Sequence, residues 1–104
     1  MSSIIYNIAM KTPVGLRYGK MHFCLIENQI QGKLDLLGHS EPFDGAADND
    51  GNCKINGRII TLMRTINYTA VGKFTQNDIN LSLKGERHVF KITGTVIPKS
   101  EVKI

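Results

Sequence analysis

The stretch "INYTAVGKFTQNDINLSL", residues 66–83, carries the pattern that decides the fold. Apolar or small residues occupy every second position of its first half: Ile66, Tyr68, Ala70, Gly72 and Phe74. The polar "QND" follows, and "INLSL" then alternates again. An alternation of period two is typical of a β-strand with one buried face, and a short polar break is typical of a turn. The stretch therefore predicts a β-hairpin.

The same pattern continues outward in both directions. "SIIYNIAMK", "IQGKLDLL" and "CKINGRII" alternate with the same period, and each run ends at a Gly, Asn, Asp or Pro. A helical period of 3.6 residues is not sustained anywhere, and the connections have hairpin length, which permits antiparallel neighbours but not crossovers. The sequence predicts an all-β chain of about eight strands in an antiparallel up-and-down meander.

An open meander would expose two edge strands, so we expect it to close into a small barrel. Gly32, Gly57, Gly72 and Gly94 interrupt predicted strands. Glycine weakens a strand unless a bend or a close approach requires it. These four positions therefore predict strong strand curvature.

Length and composition limit the class of protein. A chain of 104 residues with a net charge of +4 has room for one domain, residues 1–104. No apolar run approaches the roughly 20 residues that span a bilayer, and the N-terminal segment lacks a basic start. We therefore expect a cytoplasmic protein with no membrane partner. The two cysteines, Cys24 and Cys53, form no CxxC pair and are expected to be free thiols.

The charges are unevenly distributed along the chain. Residues 34–53 contain five acids and no Lys or Arg, whereas the rest holds all thirteen bases. Such a segment could meet a basic partner. The candidate partner surface consists of His39, Glu41, Asp44, Asp48 and Asp50.

The stretch "GHSEPF", residues 38–43, breaks the alternation and predicts an irregular loop before a short fourth strand, "FDGAA". Its aromatic residue, Phe43, has two possible interpretations: it could be an exposed contact residue, or it could plug one end of the barrel. We favour the plug, and the candidates for the barrel end or lumen are Phe43, Tyr68 and Phe23.

The turn-like "DNDGN", residues 48–52, resembles part of a calcium loop, but its spacing is wrong. If Gly51 is the loop's sixth residue, Ala46 takes the first position and Gly57 the twelfth, where a calcium loop needs ligands. The stretch is better interpreted as a hairpin turn. No metal site is predicted.

The residue pattern offers no catalytic constellation. His22 and Cys24 are two apart, so on a strand their side chains stand roughly 6 to 7 Å apart, too far for direct proton transfer. No phosphate or dinucleotide loop occurs, and no cofactor is predicted. The bases are scattered singly and aromatics are only 7% of the chain, so nucleic acid is not an expected partner.

The chain resembles a known family in several short motifs. "GKMHFCLIENQIQG", "FDGAADNDG" and the late "TGTV" are similar to the GrlR-type regulators of type III secretion. The resemblance implies an eight-stranded calycin-like barrel, a dimer, and a protein-binding regulator rather than an enzyme. That family carries four acids in the loop after its fourth strand. Only Asp48 and Asp50 match that character here.

Two hypotheses about function follow. The first is a non-enzymatic barrel that binds a protein partner, with a homodimer implied by the resemblance. The second is a lipocalin-like carrier of a small apolar ligand, since an eight-stranded barrel can be filled by side chains or can hold one small ligand. The volume of the barrel interior separates them.

Overall fold

A computed structural model describes residues 2–61 and 63–97 of the chain. It contains eight strands: β1 Ser2–Thr12, β2 Gly15–Ile26, β3 Gln29–Leu36, β4 His39–Ala47, β5 Asn52–Ile60, β6 Thr65–Phe74, β7 Asp78–Lys84 and β8 Val89–Val96. Within the described ranges, no helix has the length and apolar character needed to cross a lipid bilayer.

Each strand pairs antiparallel with the next, and β8 pairs with β1 from Tyr6 opposite Val96 to Lys11 opposite Lys91. This last ladder closes the sheet and confirms the predicted meander barrel. In such a meander, successive connections alternate between the two ends of the barrel. We call them the Val14 end, which holds the β1–β2, β3–β4, β5–β6 and β7–β8 connections, and the Asp48 end, which holds the other three.

The predicted inward faces are confirmed. Among the described residues, twenty hydrophobic side chains are buried in one continuous core: Tyr6, Ile8, Met10, Met21, Phe23, Ile30, Leu34, Leu36, Phe43, Ala47, Cys53, Ile55, Ile59, Tyr68, Ala70, Phe74, Ile79, Leu81, Leu83 and Ile92. Phe23 lies at the centre of an aromatic group, with ring centroids 5.7 Å from Tyr6, 5.4 Å from Phe43 and 5.2 Å from Phe74. The interior is therefore filled with side chains.

The mid-strand glycines mark close approaches between strands, as their pattern predicts. A Cβ placed at any of six interior glycines would come within 3.0 Å of an atom of the barrel: Gly19, Gly32, Gly45, Gly57, Gly72 and Gly94. At Gly32 the obstacles are the backbone carbonyl oxygen of His22 and the ring of Phe43. Strand curvature brings these atoms together, so only glycine fits there.

The predicted irregular loop at residues 38–43 is wrong. The chain turns at Leu37 and Gly38, and β4 already begins at His39. Alternation failed as a guide because Pro42 lies within the strand. Pro42 pairs with Lys33 of β3, but the ladder between β4 and β5 starts only at Phe43. Pro42 therefore has no partner residue on β5, and its lack of an N–H breaks no hydrogen bond on that side.

Candidate interaction surface

The first half of β2 has its apolar side chains on the outside of the barrel. Leu16 and Tyr18 are 49% and 73% exposed, while Gly19 sits on the inner face. Further along, Met21 and Phe23 point into the core. The strand therefore changes from apolar-out to apolar-in near its middle, which burial inside the barrel does not explain.

Pairing with β1 determines this inversion. Tyr18 stands opposite Ala9, and Leu16 stands opposite Lys11. The flanking β1 residues Ile8 and Met10 fill the core, so the partners of Ala9 and Lys11 must face outward. The apolar character of Leu16 and Tyr18 thus lies on the surface of the barrel.

Val14 extends the same apolar row to the tip of the β1–β2 turn, where it is 76% exposed. Its amide donates a hydrogen bond to Thr12 Oγ1 at 3.3 Å, and the Thr12 hydroxyl donates to the carbonyl oxygen of Gly15 at 2.6 Å. Threonine bonds of this kind stabilise a tight turn. The turn therefore presents Val14 from a hydrogen-bonded backbone.

Leu37 adds a fourth apolar side chain from the β3–β4 turn. Leu36 pairs with His39, which leaves Leu37 and Gly38 as a two-residue hairpin loop with φ values of 55° and 80°. This type of loop favours Asn, Asp or Gly, and a leucine in left-handed backbone costs roughly 1–2 kcal/mol. Leu37 is nevertheless present and 40% exposed.

Tyr18 and Leu37 line one open groove of about 330 Å³, together with Asp35, Leu36, Gly38, His39 and Ser40. We call the four side chains Val14, Leu16, Tyr18 and Leu37 the apolar strip. Exposed apolar residues are ordinary when they occur singly, but a group of them on one face marks a contact site.

Basic residues border the apolar strip. Lys11 stands opposite Leu16 on one side and opposite Lys91 on the other. Lys20 follows Tyr18 on the same strand face, and the Arg17 guanidinium donates to the carbonyl oxygen of Leu16 at 3.2 Å. This part of the barrel surface is therefore cationic.

The acid Asp35 borders the strip and lines the groove beside Tyr18. It stands opposite Lys20 and lies 3.2 Å from the ring nitrogen Nε2 of His22. Its negative charge offsets that of Lys20, so the positive excess beside the strip comes from Lys11 and Lys91.

The Asp48 end of the barrel has the opposite character. Its three connections are residues 27–28, 48–51 and 75–77, and they contain three acids, no Lys or Arg, and no apolar side chain. The acids are Glu27, Asp48 and Asp50. The barrel is therefore polarised along its axis.

Asp48 uses its carboxylate to hold its own turn. Oδ1 accepts hydrogen bonds from the amides of Asp50 and Asn52 at 2.9 and 3.0 Å, and Oδ2 accepts from Asn52 Nδ2 at 3.0 Å. These bonds, the Asn52 side-chain bond foremost, hold the pKa of Asp48 below its ordinary value. Asp48 is accordingly a structural turn residue, as the hairpin interpretation of "DNDGN" predicts.

The structure does not bring the five residues of the predicted partner surface together. Asp48 and Asp50 lie at one end of the barrel, and His39 lies at the other end beside Leu37. Glu41 is engaged by the Arg58 guanidinium. Asp44 is exposed on β4 between Gln31 of β3 and Asn56 of β5.

The three predicted lumen residues all lie in the barrel interior. Phe43 stands opposite Gly32 and Gly57 in the two flanking ladders and packs on Phe23, so it fills the interior. Tyr68 stands opposite Gly57, and its hydroxyl oxygen occupies the space that a Cβ there would need. This hydroxyl is buried without a hydrogen-bond partner among the described residues, and desolvation raises its pKa.

The larger concave regions open outward. Two grooves of about 530 and 510 Å³ adjoin on the face of β2, β3 and β4, and both are bordered by Cys24 and Lys33. They lie open to solvent beside a core that is filled by side chains. The barrel surface thus offers more room for a partner than its interior does.

The cysteines and histidines do not assemble a reactive centre in the described part of the chain. His22 contacts Asp35, Cys24 is half-buried, and Cys53 is buried in the core. Burial and the nearby Asp48 raise the pKa of Cys53 to about 11, which keeps its thiol protonated. No cluster of three or more His, Cys, Asp or Glu within residues 2–61 and 63–97 could hold a metal ion.

Three solved structures of redesigned β-barrels are similar to this chain. One is mFAP1 bound to DFHBI, with a TM-score of 0.59 and 16% identity over 90% of this chain and 92% of that chain. A second redesigned barrel has a TM-score of 0.60 and 13% identity over 91% and 89%. The third, mFAP0 bound to DFHBI, has a TM-score of 0.52 and 17% identity over 90% and 95%. At these identities the likeness shows the fold alone.

No family model and no curated protein matches the chain. The resemblance to GrlR-type regulators therefore stays a prediction.

Sequence reasoning missed the apolar strip, although a signal was present. The apolar residues at 14, 16 and 18 are in one phase of the alternation, and those at 21, 23 and 25 are in the other. A change of phase inside one strand puts one of the two sets on the surface. Only the pairing with β1 decides which set that is.

Proposed function

We propose that the chain is a non-enzymatic, cytoplasmic barrel module that binds a protein partner through the apolar strip. The observation that carries this proposal is the inversion of β2. Leu16 and Tyr18 expose apolar surface on a closed barrel whose core is already complete without them. A strand under selection for stability alone would place polar residues there.

The strand pairing leaves the partner two ways to bind. The barrel is closed, but the β2–β3 ladder begins only at Lys20, so Gly15–Gly19 of β2 pair with β1 alone and leave their other edge open. A partner can contact the side chains on the outer surface and can also pair with this short edge. The strip offers an aromatic residue, Tyr18, beside the aliphatic Leu16 and Leu37, and aromatic side chains are enriched among the residues that dominate binding.

The unusual turn at Leu37 supports the same proposal. Its backbone conformation would suit Asn or Gly better, so a leucine at this position lowers stability. Residues that break a local rule of structure are concentrated at functional sites. The contribution of Leu37 to the groove beside Tyr18 is the compensating gain.

Photo-crosslinking in the host cell tests this proposal. A photoreactive phenylalanine analogue would replace Tyr18 in one variant and Val71 in a matched control. Val71 is an exposed apolar residue on the outer face of β6, away from the strip. We expect protease-sensitive adducts of discrete size at position 18 that disappear when Leu16→Ser is added.

The control makes the outcome decisive. Val71→Ser removes a residue with the same 49% exposure as Leu16, and it should leave the position-18 adducts unchanged. Absence of adducts at position 18, or equal adducts at positions 18 and 71, would show that the strip is not a specific protein contact.

A small-ligand carrier is the second candidate, and one observation favours it. The Tyr68 hydroxyl is buried beside Gly57 and Phe43 without a hydrogen-bond partner among the described residues. A bound molecule with an acceptor atom would satisfy it. Two barrels of similar fold are described as bound to the small molecule DFHBI.

Native mass spectrometry of protein purified from its host tests the carrier. A ligand held by the Tyr68 hydroxyl should appear as an added mass that Tyr68→Phe loses. Bare chain alone in both proteins would exclude it. The filled interior makes bare chain our expected result.

A further inference from the structure

We infer that the partner of the apolar strip is an acidic protein segment, in which Asp or Glu side chains flank the apolar residues that cover the strip. This inference rests on the proposed function and adds the chemistry of the partner. It comes from the charges around the strip and from the arrangement of two lysines.

Lys11 and Lys91 face each other directly across the ladder that closes the barrel. Both are exposed, and like charges at directly opposed positions of a sheet destabilise it. Lys91 Nζ donates a hydrogen bond to Ser82 Oγ at 2.8 Å, which is a neutral partner. The pair therefore carries uncompensated positive charge beside Leu16.

One further base lies on the same face, because Lys20 follows Tyr18 on the outer side of β2, whereas Arg17 stands opposite the buried Met10 and belongs to the inward phase of the strand. The acid Asp35 stands opposite Lys20 and lines the groove beside Tyr18, so the excess positive charge comes from Lys11 and Lys91. Association with an acidic partner is favoured by such a field, which steers the encounter and fixes its orientation.

A second copy of the chain fits the strip less well. Two strips in a symmetric contact would bring Lys11 and Lys91 of both copies together. A head-to-tail contact would place the strip on the Asp48 end, where the described connections offer acids and the exposed Ile26 lies beside Glu27. The symmetric contact is disfavoured by charge, and in the head-to-tail contact Ile26 would cover only part of the four-residue strip.

A lipid bilayer also fits less well than a protein segment. Val14 and Leu37 lie at turns on one end of the barrel, but Leu16 and Tyr18 continue down the outer face of β2. A flat bilayer that met the end of the barrel would leave the lower part of the strip uncovered. A protein segment can follow the strip and enter the groove beside Tyr18.

The experiment uses a phage library of random peptides, selected on the immobilised full chain. We expect enriched peptides that combine apolar residues with Asp or Glu. Binding of a synthetic enriched peptide should weaken about tenfold in the double variant Lys11→Glu, Lys91→Glu. It should also weaken with added salt, because exposed charges are screened.

A matched control separates local charge from net charge. Lys54 and Lys73 are exposed diagonal neighbours on β5 and β6, away from the strip, and Lys54→Glu with Lys73→Glu changes the net charge by the same amount. This control should leave peptide binding within about twofold of the wild type. Equal weakening by both double variants would overturn the inference.

The remaining outcomes distinguish this inference from the proposed function. Peptides that lose binding in Tyr18→Ser but tolerate the Lys11 and Lys91 changes would refute the acidic partner and leave the protein-binding strip intact. Selected peptides whose binding ignores Tyr18→Ser would refute both.

Two further measurements address the other occupants of the strip. Sedimentation with phosphatidylserine vesicles that depends on Tyr18 would assign the strip to a bilayer. A dimer in analytical ultracentrifugation that Tyr18→Ser dissociates would assign it to a second copy. Either result would overturn the inference.

Discussion

The Tyr6 hydroxyl donates a hydrogen bond to the backbone carbonyl oxygen of Thr75, which lies 69 residues away in the sequence. This bond joins β1 to the β6–β7 turn at the Asp48 end of the barrel. Desolvation raises the pKa of Tyr6 to about 12, with a smaller contribution from Asp78. The second buried tyrosine, Tyr68, has no such partner among the described residues.

The two tyrosines give a matched pair of Tyr→Phe variants, for which we expect changes in the free energy of unfolding of opposite sign. Tyr6→Phe removes a made hydrogen bond and should lower the free energy of unfolding by about 1 kcal/mol. Tyr68→Phe removes a buried, unpaired hydroxyl and should raise it by about 1 kcal/mol. Urea unfolding measures both. A loss of stability in Tyr68→Phe equal to that in Tyr6→Phe would mean that the Tyr68 hydroxyl has a partner after all.

Gly32→Ala tests the curvature of the barrel. The added Cβ would meet the carbonyl oxygen of His22 and stand 2.7 Å from Phe43 Cζ, so a strand or the aromatic ring must shift. We expect a loss of about 3 kcal/mol in the free energy of unfolding. Gln31→Ala, an exposed change at the adjacent position, should cost about 0.5 kcal/mol or less. Similar losses from both would contradict the close approach.

Leu37→Asn tests whether stability is given up for binding. Asn accepts the left-handed backbone of this turn, so unfolding should require about 0.5–1 kcal/mol more. Adducts at position 18 should nevertheless decrease, because the groove loses an apolar wall. Glu27→Asn is the control, since Glu27 has a φ of 56° in a turn at the other end of the barrel. It should gain stability without affecting the adducts.

Asp48 predicts a pH-dependent difference in stability. Its folded-state pKa lies below the ordinary 3.8, so its stabilising effect is fully present above about pH 4. The effect is lost as the pH falls through the lowered value, because the carboxylate then takes up a proton. The stability difference between wild type and Asp48→Asn should be constant from about pH 5 to 7 and shrink below about pH 4.

Urea unfolding across this pH range measures the difference. Asp50→Asn is the control, because the Asp50 carboxylate accepts none of the three bonds that hold the turn. A difference for Asp48→Asn that persists undiminished at about pH 2 would contradict the role of its charged form.

Much of the architecture could be predicted because strand patterns are local. The alternation in "INYTAVGKF" needs only neighbouring residues to identify the inward face, and Tyr68 and Phe74 are buried as it requires. The same holds for the turn at Asp48, whose partners Asp50 and Asn52 are within four residues. The beginning of β4 could not be predicted because Glu41 and Pro42 are residues more typical of a loop than of a strand.

Much less of the candidate interaction surface than of the fold could be predicted from the sequence. The acidic stretch of residues 34–53 looked like one patch, but a nine-residue strand carries its members to opposite ends of the barrel. The strip was hidden for the same reason, since Val14 and Leu37 lie 23 positions apart in the sequence and meet only as turns of one barrel end.

The sequence by itself determined that there are about eight strands, which face of most strands points inward, and that the strands curve at the mid-strand glycines. Each of these features depends on the pattern of side chains within one strand. The tertiary structure alone decided the register in which β8 closes on β1, which places Lys91 opposite Lys11, and decided that Leu16 and Tyr18 face outward. Both follow from pairing register. Register is set by how the apolar faces of distant strands share one core, which no single strand specifies.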